Sequence, residues 1–220
     1  MIRAKKTFII AEAGVNHNGS MKLAHELIDA AISAGADAVK FQSFIASAIV
    51  TADANKADYQ IVNTGSSESQ LKMLQSLELS QQQQRELYEY CQSRGIQFLS
   101  TPFDSVSLDF LTKNLGLKTI KVGSGELTNA PFLLEVAQCA DKIILSTGMS
   151  TIDEVSEALG VIAFGMTTQK DIAPTRTSMT AAFESPQGKK AISERVTLLH
   201  CTTDYPTKPV DVNLNAMLTL

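Results

Sequence analysis

Six short apolar runs, each followed by turn residues and then by a helical pattern, constrain the fold of this chain more than any other feature. They span Thr7–Ala13, Asp37–Ser43, Ile96–Thr101, Lys118–Gly123, Lys142–Thr147 and Arg195–Thr202. The runs are nearly continuous rather than alternating, which is typical of parallel strands covered on both faces. The sequence therefore predicts an α/β fold of repeated β-α units, in one domain over residues 1–220.

The helices between these strands have recognisable ends. The predicted N-terminal caps are Ser20, Ser80, Asp104 and Thr151, and the predicted C-terminal stops are Gly35, Gly95 and Gly116. A further helix is expected from about Pro131 to Ala140. Two segments interrupt the alternation, 44–79 and 164–193, and the second contains Pro174, Pro186 and Gly188. Both are predicted to be long loops, which in compact domains are usually functional or mobile.

Polar residues fall at the C-terminal end of every predicted strand. They are Glu12, Lys40, Gln42, Ser100, Thr101, Lys121, Ser124, Ser146, Thr147, His200, Thr202 and Thr203. In parallel α/β folds, ligands bind at this end of the strands. Polar groups on all strands, rather than around one switch point, favour a TIM-type (β/α)8 barrel with about six of its β-α units in this chain. No GxGxxG or GxxxxGK[ST] pattern follows the first strand.

Composition excludes some classes of function. The formal net charge of −4 over 220 residues argues against a nucleic-acid partner. No apolar stretch approaches the ~18 residues that span a bilayer, so no membrane association is expected. Cys91, Cys139 and Cys201 show no CxxC spacing and are expected to be reduced thiols of a cytoplasmic protein.

Two lysines interrupt apolar strands. Lys40 lies in AVKFQSF and Lys121 in TIKVGSGE. Because a buried ammonium is costly unless it is paired, each should meet a carboxylate, such as Glu12 or Glu126, or a ligand anion. Convergence of two lysines and several hydroxyls favours the ligand, a phosphate together with a carboxylate.

The histidines do not predict a metal site. No HxH or HExxH spacing exists among His17, His25 and His200. His25 is expected on a helix surface and His200 inside the sixth strand. His17 is equally compatible with an ordinary turn residue and with a substrate-facing one.

Six segments together carry a family resemblance. In order, they read IIAEAGVNHNGS, AGADAVKFQSF, FLSTPFD, KVGSGELTN, IILSTGMST and LLHCTTDYPT. The chain resembles the N-acetylneuraminate (sialic acid) synthase family over nearly its whole length. The KADYQ, NTG and ESQLKML segments look most similar to the legionaminate-synthase branch of that family.

The resemblance implies condensation of phosphoenolpyruvate with an acetamido sugar, N-acetylmannosamine or 2,4-diacetamido-2,4,6-trideoxymannose, with release of phosphate. It implies that Lys40, Thr101, Lys121, Ser124 and Ser146 bind phosphoenolpyruvate and that Glu12, Lys40 and Lys121 are catalytic. It also implies that Gln42, Tyr59, Glu126 and Tyr205 line the sugar site. Family members use a divalent cation, Mn²⁺ or Mg²⁺, and are homodimers.

The sequence also departs from the family pattern. Thr203 stands where some members carry an asparagine that reaches the phosphate. The family's seventh and eighth strands and its C-terminal antifreeze-like (SAF) domain are expected to lie beyond residue 220, together with the metal ligands, so no metal ligand is assigned here.

Two other functions remain compatible with the residues. A desolvated Lys40 or Lys121 could act as the nucleophile of a Schiff-base aldolase. Alternatively, a chain with six barrel strands would be an inactive fragment or a binding protein, because an open barrel exposes unpaired strand edges.

Overall fold

The computed structural model describes residues 6–52, 54, 69–168, 172–203 and 207–220. The chain divides into two compact units, Met1–Leu115 and Gly116–Leu220. Each unit contains a three-stranded parallel sheet among its described residues. No helix in the described ranges is long and apolar enough to cross a membrane.

The first unit is built on strands β1 (Ile10–Gly14), β2 (Ala38–Ser43) and β3 (Gln97–Pro102), in that order. Its helices are α1 (Met21–Ser33), α2 (Ala46–Ile49), α3 (Gln70–Leu77), α4 (Gln81–Arg94) and α5 (Ser105–Asp109), followed by a π-helical turn over Phe110–Asn114. Phe41 and Phe98 stack with ring centroids 5.7 Å apart. Together with the fully buried Ile28 and Leu87, these rings form the core between sheet and helices.

The second unit contains β4 (Thr119–Val122), β5 (Lys142–Ser146) and β6 (Val196–Leu199), again in chain order. A 3-10 turn covers Ser124–Glu126, and the helices are α6 (Ala130–Cys139), α7 (Ile152–Thr167), α8 (Arg176–Glu184) and α9 (Pro186–Arg195). Short 3-10 turns follow at Pro209–Asp211 and Leu214–Leu218. Buried residues such as Leu133, Val136, Leu145 and Ile162 form its core.

Local sequence signals explain most helix ends. Ser20, Ser80, Asp104 and Thr151 are N-caps, as predicted. Ser80 and Thr151 form full capping boxes with Gln83 and Glu154, and each box satisfies two backbone donors. Gly95 ends α4 in the left-handed conformation, at φ 73°.

The prediction of a loop over 164–193 is wrong. Helix α7 continues to Thr167, and α8 and α9 occupy most of the remainder. Pro186 is the first residue of α9, where its missing N–H costs nothing. Gly188 permits the tight corner between α8 and α9, because a Cβ there would lie 1.9 Å from the Ala182 carbonyl oxygen. Residues that read as helix breakers therefore begin a helix or fill a tight corner.

The other predicted loop, 44–79, contains helices α2 and α3. Residue 53 and residues 55–68 lie outside the described part of the chain, and the Asn63–Ser67 turn falls among them. The six predicted strands are confirmed, with bounds that differ by up to three residues at an end. Strand β6 ends at Leu199, so the expectation that His200 lies inside it is wrong. His200 instead lies after the strand, with Nε2 2.6 Å from the Val212 carbonyl oxygen.

Candidate functional site

In the first unit, three strands bring charged and polar side chains to one face of the sheet. Glu12 pairs in register with Lys40, and Gln42 pairs with Thr101. The Lys40 Nζ lies 2.5 Å from Glu12 Oε2 and 3.5 Å from Thr101 Oγ1. Lys40 is only 8% exposed, whereas the Glu12 side chain is 54% exposed. The ammonium therefore lies at the base of this group, and the carboxylate reaches solvent.

A bulge in β1 shapes the space around Glu12. The register shifts between Glu12 and Gly14, so Ala13 is an extra residue opposite β2. Gly14 has φ +53°, and a Cβ there would lie 3.2 Å from Glu12 Oε1 and 3.7 Å from Gln42 Nε2. Glycine at this position therefore leaves room for the two side chains that the sequence assigned to catalysis and to sugar binding.

The opposite, helix-facing side of the same sheet carries a buried polar network that the sequence analysis missed. Ser43 donates a hydrogen bond of 2.5 Å to Gln84 Oε1, and its oxygen lies 2.6 Å from Ser100 Oγ. The Gln84 amide nitrogen donates to the Leu79 carbonyl at 2.9 Å. Ser43, Gln84 and Ser100 are 1%, 5% and 0% exposed. The available signal was Gln84 itself, which shares a helix face with Leu87 and Cys91 at spacings of three and seven residues.

The turn that follows β2 is held by two carboxylates. The Ile45 N–H donates to Asp104 Oδ2 at 2.9 Å, and the Ala46 N–H donates to Glu78 Oε2 at 2.8 Å. Asp104 also accepts from the Ser107 N–H and hydroxyl as the N-cap of α5. These bonds satisfy backbone donors just beyond the strand end. They hold the end of β2, and therefore its last side chains, in position.

His17 is a structural turn residue. It is 1% exposed, its Nδ1 accepts a hydrogen bond of 3.0 Å from the Gly19 N–H, and its ring lies 6.2 Å from that of Phe41. Desolvation by burial lowers the pKa of His17 from its ordinary value of 6.5. The neutral ring that these conditions favour stabilises the turn after β1. His25, expected on a helix surface, is instead partly buried between α1 and α4, and its ring lies edge-on to that of Tyr90 with the ring centroids 4.6 Å apart.

In the second unit, Lys121 occupies the corresponding position on β4. It is 7% exposed, and its Nζ donates to the Val122 carbonyl at 2.7 Å and to Ser146 Oγ at 2.5 Å. Strand β5 supplies Ser146 one residue beyond the paired stretch of β4 and β5. The structure therefore brings together Lys121 and Ser146, two residues to which the family resemblance assigns phosphoenolpyruvate binding.

Three βα turns of the second unit approach one another around Gly148. A Cβ at Gly148 would lie 3.0 Å from Thr203 Cγ2, 3.3 Å from Ser124 Oγ and 3.5 Å from the Cys201 carbonyl oxygen. Thr147 ties the turn after β5 to β6, since its N–H and hydroxyl both reach the Leu199 carbonyl at about 3 Å. A cavity of about 480 Å³ opens beside this turn, lined by residues that include Gly148, Met149, Ser150, His200 and Cys201.

The remaining sequence-predicted residues are less fully placed. Glu126 lies in the 3-10 turn after β4, where its Oε2 accepts from Asn129 Nδ2 at 2.7 Å. Tyr59 and Tyr205 lie outside the described residues. Within the described ranges, no group of three or more His, Cys, Asp or Glu side chains is arranged to hold a metal ion.

A sequence match identifies the family of this chain. A profile described as the NeuB family matches residues 27–220. The chain belongs to the NeuB family.

Two of the proteins similar to this chain are synthases by name. The chain is 46% identical over 216 residues to an N,N'-diacetyllegionaminic acid synthase of Campylobacter jejuni, a match that covers 98% of this chain and 57% of that protein. It is 44% identical over 213 residues to an N,N'-diacetyllegionaminic acid synthase of Legionella pneumophila, covering 97% and 53%. The chain thus spans a little over half the length of these relatives.

A solved structure resembles that of this chain. The crystal structure of an N-acetylneuraminic acid (sialic acid) synthetase from Leptospira borgpetersenii in complex with citrate superposes with a TM-score of 0.72 at 28% identity. The match covers 98% of this chain and 61% of that chain. The α/β fold with parallel strands is therefore the fold of this NeuB family member.

Proposed function

We propose that this NeuB family member condenses phosphoenolpyruvate with a 2-acetamido sugar to give a nonulosonic acid and phosphate. The observation that carries the proposal is the buried Lys40 ammonium beside Glu12 and Thr101, in a chain that matches the NeuB profile over residues 27–220. The names of the relatives favour 2,4-diacetamido-2,4,6-trideoxymannose over N-acetylmannosamine as the sugar.

The proposed reaction forms one carbon–carbon bond. C3 of phosphoenolpyruvate attacks the aldehyde carbon of the open-chain sugar, and the aldehyde oxygen takes up a proton to become a hydroxyl. Water then adds at C2 and loses a proton. The C2–O bond to phosphate breaks, the bridging oxygen leaves with the phosphate, and the new C2 hydroxyl loses its proton, so that C2 becomes a ketone. Such a reaction requires binding of the trianionic substrate and control of protons near C2 and C3.

In the first unit, Lys40 and Thr101 are proposed to bind the anionic groups of phosphoenolpyruvate, because both are buried and lie within 3.5 Å of each other. Glu12 is proposed to handle the proton of the attacking water. Its carboxylate is half exposed and is oriented by Lys40. Gln42, whose amide lies near Glu12 across Gly14, is proposed to contact the sugar.

In the second unit, Lys121, Ser124 and Ser146 are proposed to bind phosphoenolpyruvate. Lys121 is buried at a strand end and already donates to two oxygens, so it is oriented before any ligand arrives. Glu126, Tyr59 and Tyr205 are proposed as further sugar contacts on the family resemblance alone.

A divalent cation, Mn²⁺ or Mg²⁺, is proposed as the cofactor, where it would polarise the sugar aldehyde. The described residues do not supply a fitting set of ligands, so every role assigned above belongs to protein side chains. The same family resemblance supports a (β/α)8 barrel in a single domain and a homodimer, and a cytoplasmic location is proposed with them.

Phosphate release tests the function. The complete gene product, supplied with Mn²⁺, phosphoenolpyruvate and either acetamido sugar, should release phosphate only when a sugar is present. Phosphoenolpyruvate labelled with ¹⁸O at the bridging position should transfer the label to phosphate. Absence of release with both sugars would contradict the proposal. Borohydride with pyruvate is the control, since irreversible labelling of Lys40 or Lys121 would indicate a Schiff-base aldolase instead.

A further inference from the structure

The buried network of Ser43, Gln84 and Ser100 has a fixed direction. A backbone carbonyl can only accept, so the bond to Leu79 identifies the Gln84 nitrogen and leaves Oε1 to face Ser43. The single Ser43 proton is used on Gln84. The Ser100 hydroxyl must therefore donate to Ser43. Each proton in these hydrogen bonds therefore has a single acceptor. We call this series, from Ser100 through Ser43 to Gln84, the hydroxyl–amide chain.

The hydroxyl–amide chain joins three elements one residue away from the candidate site. Ser43 follows Gln42 on β2, and Ser100 precedes Thr101 on β3. Successive side chains of a strand point to opposite faces. The hydroxyl–amide chain therefore lies on the other face of the sheet, directly behind Gln42 and Thr101. Gln84 anchors both strand ends to the first turn of α4.

Burial gives the hydroxyl–amide chain its stiffness. All three side chains are at most 5% exposed, and water cannot readily replace a lost partner. A fully satisfied buried network holds its groups in one arrangement, whereas a broken one leaves donors or acceptors unsatisfied. The 3.5 Å contact from Lys40 to Thr101 depends on how β2 and β3 are set against each other. A shift of either strand end would alter that contact first.

We propose that Gln84 is a positioning residue that acts through Ser43 and Ser100 to hold Lys40, Gln42 and Thr101 in their binding arrangement. It touches no substrate itself. Three neighbouring glutamines, Gln81, Gln82 and Gln83, share its helix, but Gln84 alone among these four is buried. The kinetic part of this inference rests on the proposed function.

The first test compares three variants that break the hydroxyl–amide chain at different points. Ser43→Ala removes the central hydroxyl and with it the hydrogen bonds to Gln84 Oε1 and to Ser100 Oγ, so it should have the largest effect. Gln84→Leu should follow, and Ser100→Ala should be mildest because Ser43 still donates to Gln84. We expect kcat/KM for phosphoenolpyruvate to fall by about 10- to 100-fold in the first two, the loss that a displaced reacting group causes.

Controls separate positioning from loss of folding. All variants are assayed below their melting temperatures, and Gln82→Leu, an exposed change on the same helix, should leave kcat/KM within about twofold. Ser100→Thr keeps the hydroxyl and should recover most of the activity lost in Ser100→Ala. The double variant Ser43→Ala with Gln84→Leu should lose little more than Ser43→Ala alone, because both break one network. Folded Ser43→Ala and Gln84→Leu proteins with wild-type kcat/KM would overturn the proposal.

A measurement without turnover distinguishes this inference from the proposed function. The NMR signal of the Lys40 side chain, identified by its loss in Lys40→Arg, should shift in Ser43→Ala and Gln84→Leu but not in Gln82→Leu. If the wild-type protein releases no phosphate yet these shifts appear, the synthase function fails and the positioning role stands. An unmoved Lys40 signal in both variants would contradict the positioning role whatever the activity.

Discussion

Each unit has a buried lysine on a strand, Lys40 in the first and Lys121 in the second, and the two lysines have different partners. In the first unit, Lys40 forms an ion pair with the half-exposed Glu12. In the second unit, Lys121 donates to the Val122 carbonyl and the Ser146 hydroxyl. A carboxylate competes with an incoming anion for its lysine, whereas a neutral oxygen only orients the lysine. An anion that binds to Lys40 in the first unit should therefore weaken the ion pair between Lys40 and Glu12.

The largest expected effect comes from removing the lysines. Lys40→Met leaves the Glu12 carboxylate facing the phosphoenolpyruvate anion, so we expect affinity to fall about 100-fold or more, whereas Lys121→Met should cost about 10- to 100-fold. Titration calorimetry measures both. Adding Glu12→Gln to Lys40→Met should restore part of the affinity by removing the repulsion, and adding it to Lys121→Met should also raise the affinity, because Lys40 is then freed from its ion pair. An affinity that Glu12→Gln leaves unchanged in both backgrounds would contradict the role of the ion pair.

The next effect comes from the hydroxyls that contact each lysine. Ser146→Ala removes a 2.5 Å contact from Lys121, and we expect phosphoenolpyruvate affinity to fall about tenfold. Thr101→Val removes a 3.5 Å contact from Lys40, at the limit of a hydrogen bond, and should cost about threefold. Thr101→Ser is the control that keeps the hydroxyl. A larger loss in Thr101→Val than in Ser146→Ala would show that Thr101 contributes more to the ligand than its contact with Lys40 indicates.

Substitution of Gly14 and of Gly148 compares steric crowding at Glu12 with steric crowding in the second unit. Gly14→Ala should destabilise the protein by about 1–2 kcal/mol because of its positive φ, and should also press on Glu12. Gly35→Ala, also at positive φ but with nothing within 4 Å, is the control for conformation alone. Gly148→Ala should push only on Thr203 and Ser124, with Gly125→Ala as its open-space control. Urea unfolding measures all four. Gly14→Ala should also weaken phosphoenolpyruvate binding more than Gly35→Ala does, and Gly148→Ala more than Gly125→Ala does, because Ser124 is proposed to bind the substrate.

The smallest expected effect is a pH dependence in the first unit. Burial lowers the pKa of His17 below its ordinary 6.5, so the unfolded chain binds the proton more readily than the folded one. The stabilisation from the neutral ring is fully present above pH 6.5 and decreases as the pH falls below it. His17→Gln should flatten this acidic decrease in the free energy of unfolding. Hydrogen exchange should detect the decrease in β1 and the 15–19 turn, and an unchanged pH slope in His17→Gln would contradict the assignment.

The strands and the helix caps could be predicted because their signals lie in neighbouring residues. Ser80 with Gln83 and Thr151 with Glu154 form their capping boxes within four residues of chain. Side-chain partners across the fold could not be predicted in the same way. Lys40 was expected to meet a carboxylate or a ligand anion, and only the register of β1 against β2 reveals that Glu12 is within reach.

The errors have physical reasons. Pro186 and Gly188 were interpreted as helix breakers, yet proline is compatible with a first helical turn, and glycine is required where α9 passes close to Ala182. Gln84 received no role from the sequence. Its role depends on Ser43, which lies 41 residues before it, and on Ser100, which lies 57 residues after Ser43.

The burial of Cys91 has a practical consequence for following ligands. Desolvation raises the pKa of its thiol to about 12, so it remains protonated and unreactive toward alkylating reagents at neutral pH. Cys139 and Cys201 are partly exposed, and the Cys201 carbonyl lies beside the turn at Gly148. In a Cys139→Ser background, a fluorophore attached to Cys201 would report events in the second unit without a background signal from the core.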